Sequence, residues 1–202
     1  MVVTHPKVLL FDLGGVIVPW VGMIELSRLT GRSETELSRL AKRSNLFMSY
    51  EVGGCHTDEF LDELNRLFDL GKEQDELAPL WNEWVRPPYA RMRQTLLGLK
   101  DNYTTACLSN TNASHWNYLA ATHNIIDVFD YAYASHILKV AKPHSEAWEL
   151  CLNDMGVDAS DVWFFDDTQE NIEAAQSLGI KSFHVDRTVG VIPTLKALGV
   201  LD

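Results

Sequence analysis

The sequence of 202 residues predicts an α/β protein, a doubly wound, Rossmann-like parallel sheet with a helical cap inserted after its first strand. Short apolar runs, typical of strands that are buried on both faces, alternate with helical segments. One long, purely helical stretch separates the first of these runs from the others. With 46% hydrophobic residues, the chain is long enough for one core domain that carries a smaller insertion.

Four continuous apolar runs are predicted to be the strands of this sheet. Residues 8–11 form the first, and residues 103–108, 162–165 and 181–185 have the same character. A continuous run, rather than an alternating one, indicates a parallel strand with helices covering both faces.

Two amphipathic helices are predicted near the carboxyl end of the chain from the spacing of their apolar residues. The first has Pro143 in its opening turn and an apolar face formed by Ala147, Leu150 and Cys151. The second has an apolar face formed by Ile172, Ala175 and Leu178, with Gly179 as its carboxyl-terminal cap.

Residues 20–88 have only helical patterns, and we expect them to form the cap domain, with residues 1–19 and 89–202 as the core domain. Ser33 and Glu36 are predicted to form a capping box. A later amphipathic stripe has Thr57 as its predicted cap and consists of Phe60, Leu61, Leu64, Leu67 and Phe68. Trp81 and Trp84 lie one turn apart on a further helix, and a helix is expected to resume at Tyr89. These aromatic residues are interpreted as core packing.

Composition excludes several classes of function. The formal charge of −11 argues against a nucleic-acid-binding surface. No apolar run is long enough to cross a bilayer, and the amino-terminal residues lack the pattern of a signal peptide. The three cysteines are widely separated, which favours neither a zinc site nor a redox pair. We therefore expect a soluble, cytoplasmic protein with a small-molecule partner, no nucleic-acid or membrane partner, and a monomeric or homodimeric state.

Polar residues occur where the predicted strands end, which is where open α/β sheets bind ligands. Asp12 follows the first strand, Ser109 and Asn110 follow the second, and Asp166-Asp167 follows the third. Lys142 precedes that third strand, at the predicted start of a helix. An isolated acidic residue at a strand end is commonly a helix cap, but clusters at several equivalent positions indicate a site.

These residue types suit phosphate chemistry. Carboxylates that converge from different strands supply the hard oxygen ligands that a divalent cation needs. The cation and Lys142 would neutralise a phosphoryl group, to which the Ser109 hydroxyl would donate a hydrogen bond. A carboxylate such as Asp12 can attack phosphorus and form an acyl-phosphate, which water then cleaves. Gly14 and Gly15 allow the backbone to approach the phosphate closely.

The order of these motifs resembles the haloacid dehalogenase superfamily over residues 8–185. The order comprises the Asp12 motif, the helical insertion, Ser109-Asn110, Lys142-Pro143 and Phe164-Phe165-Asp166-Asp167. Leu108-Ser109-Asn110-Thr111-Asn112 and the acidic motif with Asn171-Ile172 are similar to the α-D-glucose-1-phosphate phosphatase branch. The phosphatase domain of soluble epoxide hydrolases is a more distant likeness.

The resemblance implies a role for each of these residues. Asp12 would be the nucleophile and a Mg²⁺ ligand, together with the Gly14 carbonyl, Asp167, and Asp166 directly or through water. Lys142 would steady Asp12. The residues implied at the substrate are Ser109, Asn110, Lys142 and Gly15. The implied activity is magnesium-dependent hydrolysis of a small phosphorylated metabolite, with a sugar phosphate favoured, through an aspartyl-phosphate.

One position departs from the pattern of most phosphatases in this family. They have a second Asp two residues after the nucleophile, where it protonates the leaving group, and this chain has Gly14 there. General acid catalysis contributes roughly 10²–10⁴-fold, so its absence needs an explanation. The substrate can have a good leaving group, such as the anomeric oxygen of a sugar 1-phosphate. Alternatively, His115 or, second, His56 replaces the acid, or the protein is catalytically weak or inactive.

Two other functions stay open at this point. A non-catalytic protein that binds a phosphorylated metabolite has Gly14 as its only support. A haloacid dehalogenase, which uses the same Asp attack, is opposed by Gly14 and by the Asp166-Asp167 pair. Two features near the cap also have two interpretations each: Trp20 stacks on a substrate or packs at the hinge, and residues 50–54 place a polar group over the site or merely join two helices.

Overall fold

The computed structural model describes residues 5–201 and has the predicted parallel α/β fold. Five parallel strands lie in the order β3-β2-β1-β4-β5. Their bounds are β1 (Val8–Phe11), β2 (Thr104–Ser109), β3 (Tyr131–Ala134), β4 (Val162–Asp166) and β5 (Lys181–His184). Residues 1–4 and 202 lie outside the described residues. The predicted core range includes all five of them, and the predicted absence of a signal peptide also concerns residues 1–4.

The two edge strands differ from the sequence prediction. β3 was not predicted, because its Tyr-Ala-Tyr-Ala sequence is only partly buried and lacks a continuous aliphatic run. β5 was predicted to be buried on both faces, which is wrong, since Lys181 and His184 are exposed. Only the three inner strands have the doubly covered environment that a continuous apolar run indicates.

Five helices lie between β1 and the point where the chain returns to the sheet. They are α1 (Gly22–Thr30), α2 (Glu34–Ser44), α3 (Leu46–Glu51), α4 (Thr57–Phe68) and α5 (Gln74–Glu83). They have a core of their own, in which Phe60 packs against Tyr50 and Trp81 with ring centroids 4.1 and 4.6 Å apart. These helices are what we call the cap; the domain limits at 19/20 and 88/89 stay a prediction.

Besides a π-helical turn (Leu119–His123) and a 3₁₀ turn (Ala159–Asp161), six α-helices follow the cap within residues 5–201. They are α6 (Met92–Leu99), α7 (Ala113–Tyr118), α8 (Ser135–Leu138), α9 (Glu146–Met155), α10 (Gln169–Ser177) and α11 (Ile192–Ala197). Alternate residues of β1 point to opposite faces of the sheet, as the pleat requires. Leu9 and Phe11 join one hydrophobic cluster, and Val8 and Leu10 join the other. The sheet therefore has helices packed on both faces.

Several helix starts differ from their predicted positions. Ser33 caps α2 as predicted, but the Glu36 carboxylate binds Arg32 instead of completing the capping box. Thr57 is the first residue of α4, and His56 is its cap. The helix predicted from Tyr89 begins at Met92, after a turn. Propensity alone does not determine which residue of a turn begins a helix.

The prediction for the helix after Lys142 was also inexact. α9 begins at Glu146, so Pro143 lies in the preceding turn rather than in the helix, and Lys142 does not open the helix. Leu150, which was predicted to be buried, is 38% exposed, and Trp148 is buried instead. By contrast, α10 buries Ile172 and Ala175 as expected and is followed by Gly179 in the left-handed region.

No helix within residues 5–201 is both long and apolar enough to span a bilayer. The three cysteines are free thiols.

Candidate active site

The predicted polar residues, except the fully buried Asp166, line one cavity of about 520 Å³ at the carboxyl ends of the inner strands. Asp12 follows β1, Ser109 is the last residue of β2, and Asp166 is the last residue of β4. Phe11 pairs in register with Cys107 of β2 and with Phe165 of β4, so the three strands end side by side. The parallel register therefore brings together residues that are far apart in the sequence.

Lys142 is buried at the centre of this arrangement. Its ammonium Nζ lies 2.7 Å from Asp12 Oδ1 and 2.6 Å from Asp166 Oδ2, and its side chain is 1% exposed. The amide of Asn110 holds the backbone of Lys142, accepting from its N–H at 2.9 Å and donating to its carbonyl at 2.8 Å. The Asn110 side chain, predicted to touch substrate, is thus engaged in positioning Lys142.

Three carboxylates converge beside Lys142. One oxygen from each of Asp12, Asp166 and Asp167 can be chosen so that all three lie within 4.8 Å of one another. Asp166 is completely buried and accepts hydrogen bonds from the Thr168 N–H at 2.8 Å and from Asn171 Nδ2 at 3.0 and 3.1 Å. It is therefore fixed more rigidly than the other two.

The close approach of these acids changes their ionisation. Burial raises the pKa of Asp12, and the charges of Asp166 and Asp167 add to this, so that the pKa reaches about 7 although Lys142 opposes the shift. Burial also raises the pKa of Asp167, against the attraction of Arg187. Burial alone would lower the pKa of Lys142, but the two carboxylates hold it above its usual value. Lys142 thus pairs with two of the three acids, and Arg187 pairs with the third.

This donor set fits a divalent cation. The three acids outnumber the two cations paired with them, Lys142 and Arg187, and their oxygens are the hard ligands that Mg²⁺ prefers. Gly14 lines the same cavity, as a carbonyl ligand would have to. The roles of Asp12, Gly14, Asp166 and Asp167 as metal ligands stay predictions.

The turn after β1 requires a glycine at one of its two positions. Gly15 has φ of +76°, and a Cβ there would lie 2.1 Å from Asp167 Oδ2. A side chain at position 15 would therefore displace the acid. At Gly14 a Cβ would make ordinary contacts, 3.7 Å from Trp20 Cβ and 3.9 Å from Asp12 Oδ2. Lack of space for a side chain is therefore not the reason that position 14 has no acid.

The Ser109 hydroxyl is available to a ligand. Ser109 is 3% exposed and lines the cavity, and within residues 5–201 its hydroxyl makes no hydrogen bond to the protein. The predicted contact with a phosphoryl oxygen is compatible with this placement.

The cap forms the opposite, largely apolar wall of the cavity. Its residues come from the linker into the cap and from α1, α3 and α5, and include Trp20, Val21, Ile24, Phe47, Tyr50 and Trp81. Trp20 is 37% exposed and also forms an isolated bridge with Val85, next to the return to the core. Both interpretations of Trp20, ligand stacking and hinge packing, agree with this position.

Neither histidine considered as a replacement acid is suited to that role. His115 stacks on Trp81 with centroids 4.2 Å apart, donates from Nε2 to the Trp81 carbonyl at 2.8 Å, and accepts at Nδ1 from Asn112 at 3.2 Å. Burial lowers the pKa of His115 to about 4, so the ring is neutral and has no proton to release at neutral pH. His56 is exposed and lines a different cavity. The structure therefore gives no support to the sequence-based alternative of a histidine acid.

Two residues of the site were missed as functional groups. Asn171 holds Asp166, and Arg187 pairs with Asp167 at 2.7 Å. Arg187 lies three residues beyond the end of β5, so the strand-end rule already applied to the other clusters could have found it. Asn171 was noted only as part of a motif, and its contact depends on the first turn of α10 folding back to β4.

Comparison with known families and relatives gives one consistent result. Residues 6–179 match the family model described as a haloacid dehalogenase-like hydrolase. The chain is 27% identical to a sesquiterpene phosphatase of Aspergillus oryzae, covering 95% of this chain and 96% of the relative. It is 28% identical to a D-ribitol-5-phosphate phosphatase of Bacteroides thetaiotaomicron, covering 88% and 90% respectively.

A solved structure has the same architecture. A haloacid dehalogenase family enzyme from Bacteroides thetaiotaomicron, in complex with magnesium and inorganic phosphate, superposes with a TM-score of 0.76 at 26% identity. The superposition covers 89% of this chain and 94% of that enzyme.

Proposed function

This chain belongs to the haloacid dehalogenase-like hydrolase family, and we propose that it is a magnesium-dependent phosphatase that hydrolyses a small phosphorylated metabolite through an aspartyl-phosphate on Asp12. That it is a phosphatase of this family follows from its match to named phosphatases over most of its length. The observation that supports the finer proposal is the buried Lys142, which bridges Asp12 and Asp166 at 2.7 and 2.6 Å.

The proposed reaction uses the residues of the cavity in two steps. In the first, the Asp12 carboxylate attacks phosphorus while Lys142 holds that carboxylate in place and offsets the phosphoryl charge. The Ser109 hydroxyl donates a hydrogen bond to a phosphoryl oxygen. In the second, water cleaves the acyl-phosphate and regenerates Asp12. A Mg²⁺ ion held by Asp12, Gly14, Asp166 and Asp167 would supply Lewis-acid neutralisation of the phosphoryl charge.

Two substrate classes are supported by different observations. A sugar or sugar-alcohol phosphate is favoured by the motifs and by the named activity of the ribitol-phosphate relative. A phosphate ester with an apolar body is favoured by the cap wall, where Trp20, Ile24 and Phe47 offer few hydrogen-bonding groups, and by the named activity of the sesquiterpene relative. We propose the sugar phosphate as the first class and the apolar ester as the second. A cytoplasmic location also stays a prediction.

The alternatives considered from the sequence lose support. A dehalogenase needs no cation, whereas three converging carboxylates here carry more charge than the buried ammonium can balance. A non-catalytic binding protein would not need an acid placed for attack, and Asp12 is held in position by Lys142.

A panel of phosphate esters tests the proposal. Glucose 1-phosphate, glucose 6-phosphate, D-ribitol 5-phosphate, a prenyl phosphate and an activated aryl phosphate are assayed with Mg²⁺ and with a chelator. We expect turnover that needs Mg²⁺ and is lost in Asp12→Asn, whose side chain is close in size but cannot attack phosphorus. Asp161→Asn, which removes an acid from the exposed pair with Lys7, is the matched control and should retain turnover. No turnover of even the aryl ester would contradict the proposal.

A further inference from the structure

The cap contributes one acidic side chain to the cavity that the reaction outlined above does not use. Four carboxyl groups line this cavity, namely those of Asp12, Glu51, Asp167 and Glu170. Two of them belong to the convergent cluster beside Lys142, and Glu170 is exposed on the first turn of α10. Glu51, the last residue of α3, is the one of these four that comes from the cap, and it lies near enough to Lys142 for the two charges to interact.

Contacts with the core hold Glu51 in this position. The Ser135 hydroxyl of α8 donates a hydrogen bond to the Glu51 carbonyl at 2.5 Å. Two residues later, Gly53 packs so closely on α8 that a Cβ would lie 2.5 Å from Lys139 Nζ and 2.9 Å from the His136 carbonyl oxygen. The end of α3 is thus attached to the core at the edge of the cavity.

The Glu51 carboxyl group has no fixed partner. Within residues 5–201 it makes no hydrogen bond or ion pair to another side chain. Burial raises its pKa to about 7, and the charge of Lys142 opposes the shift only in part. A substrate phosphoryl group would bring further negative charge to the cavity and favour the protonated form. The Glu51 backbone is therefore fixed, while the proton of the Glu51 carboxyl group is available to a ligand.

We propose that Glu51 is the general acid of this phosphatase, supplied by the cap in place of the carboxyl group that is missing at Gly14. The proposal rests on the proposed function and explains how position 14 can be glycine. Neither histidine can fill the role, since His115 is neutral with both ring nitrogens engaged and His56 faces another cavity.

The proton transfers accompany the two steps of hydrolysis. As the Asp12 carboxylate forms its bond to phosphorus, the bond between phosphorus and the leaving oxygen breaks, and that oxygen takes the Glu51 proton. The alcohol departs and leaves Glu51 as a carboxylate. Glu51 then accepts a proton from the water that attacks the aspartyl-phosphate. The bond between phosphorus and Asp12 breaks, phosphate is released, and Glu51 is again protonated.

A leaving-group series tests this role. The enzyme with Mg²⁺ is assayed on 4-nitrophenyl phosphate, on phenyl phosphate and on the alkyl phosphate that it hydrolyses best. An alkoxide needs a proton as it departs, whereas 4-nitrophenolate does not. In Glu51→Gln we expect kcat/KM for the alkyl ester to fall roughly 100-fold or more, and that for the nitrophenyl ester to fall less than about 5-fold. Glu83→Gln, at an exposed acid of α5, is the matched control and should behave as wild type.

The nitrophenyl ester also reports on folding, because a misfolded variant would lose activity towards every substrate. An equal loss on all three esters in a variant that unfolds at the Tm of wild type, or no loss on any, would overturn the role of Glu51 and leave the phosphatase intact. If the wild type hydrolyses none of the esters, the proposed function fails, and this inference fails with it.

Discussion

Replacing Lys142 by Met removes the positive charge at the centre of the site while keeping most of the volume of the side chain. Its Nζ lies 2.7 and 2.6 Å from two carboxylates, and removing one partner of a buried ion pair costs about 3–5 kcal/mol because the other charge is left unpaired. Asp166 keeps its hydrogen bonds from Thr168 and Asn171. Asp12 loses the ammonium group with which it pairs. We therefore expect the free energy of unfolding to fall by about 3–5 kcal/mol in total, rather than by that amount for each acid.

Thermal unfolding at pH 8 in the presence of a chelator measures this loss. For a chain of this size about 1 kcal/mol corresponds to roughly 2–4 °C, so Tm should fall by about 6–20 °C. Lys100→Met is the matched control, since Lys100 lies 2.8 Å from Asp130 in a pair that is about one-third exposed. Pairs of this kind contribute about 0–1 kcal/mol.

The dependence on pH provides a second check on the same reasoning. Protonation of the unpaired acids removes the repulsion, so the deficit of Lys142→Met should shrink as the pH falls from 8 to 5. A Tm equal to that of Lys100→Met at pH 8 would refute the argument that Lys142 offsets buried negative charge.

Three further predictions follow from single contacts. In Gly15→Ala, the free energy of unfolding measured in urea should fall by about 1–2 kcal/mol because of the left-handed backbone alone. The variant should also lose its response to Mg²⁺, because Asp167 is displaced. Gly14→Ala is the control, and equal behaviour of the two variants would contradict the packing described. Glu51 has a pKa raised from 4.5 to about 7, so the folded state binds the extra proton and wild type loses stability as the pH rises through this window. The difference in the free energy of unfolding between Glu51→Gln and wild type should therefore shift by about 3 kcal/mol in favour of the variant between pH 4.5 and 8, with Glu83→Gln unchanged; a constant difference would exclude a protonated Glu51 in the folded state. Asn110→Ala removes two hydrogen bonds to the Lys142 backbone, so the free energy of unfolding measured in urea should fall by about 1–3 kcal/mol. No loss would mean that the turn at Lys142 is stable without these hydrogen bonds.

The sequence predicted the sheet and the main acidic cluster because both depend on local patterns. A continuous apolar run indicates an inner strand, and a polar residue at its end lies at the binding edge whatever the rest of the chain does. Asp12, Ser109 and Asp166 were found in this way. The same rule is less reliable at the sheet edges, where β3 was not predicted and β5 was predicted as a strand but wrongly expected to be buried on both faces.

What the sequence could not show are contacts that depend on how separate segments pack. Arg187 reaches Asp167 only because β5 lies beside β4. His115 has ordinary helical surroundings in the sequence, yet the packing of Trp81 from the cap makes it a buried, neutral ring. Glu51 was visible only as a polar residue near a glycine pair, and its place in the cavity depends on the contact between α3 and α8.

The central claim is that Asp12 becomes phosphorylated during turnover, and trapping this species tests it most directly. The enzyme is mixed with Mg²⁺ and an ester that it hydrolyses, and the reaction is quenched in acid during turnover. The protein is then digested, and the peptide that contains Asp12 is examined by mass spectrometry. We expect the mass of one added phosphoryl group on Asp12, and we expect it to be absent in Asp12→Asn and in the sample without substrate. Turnover with no phosphorylated peptide, or a phosphoryl group on another residue, would contradict it.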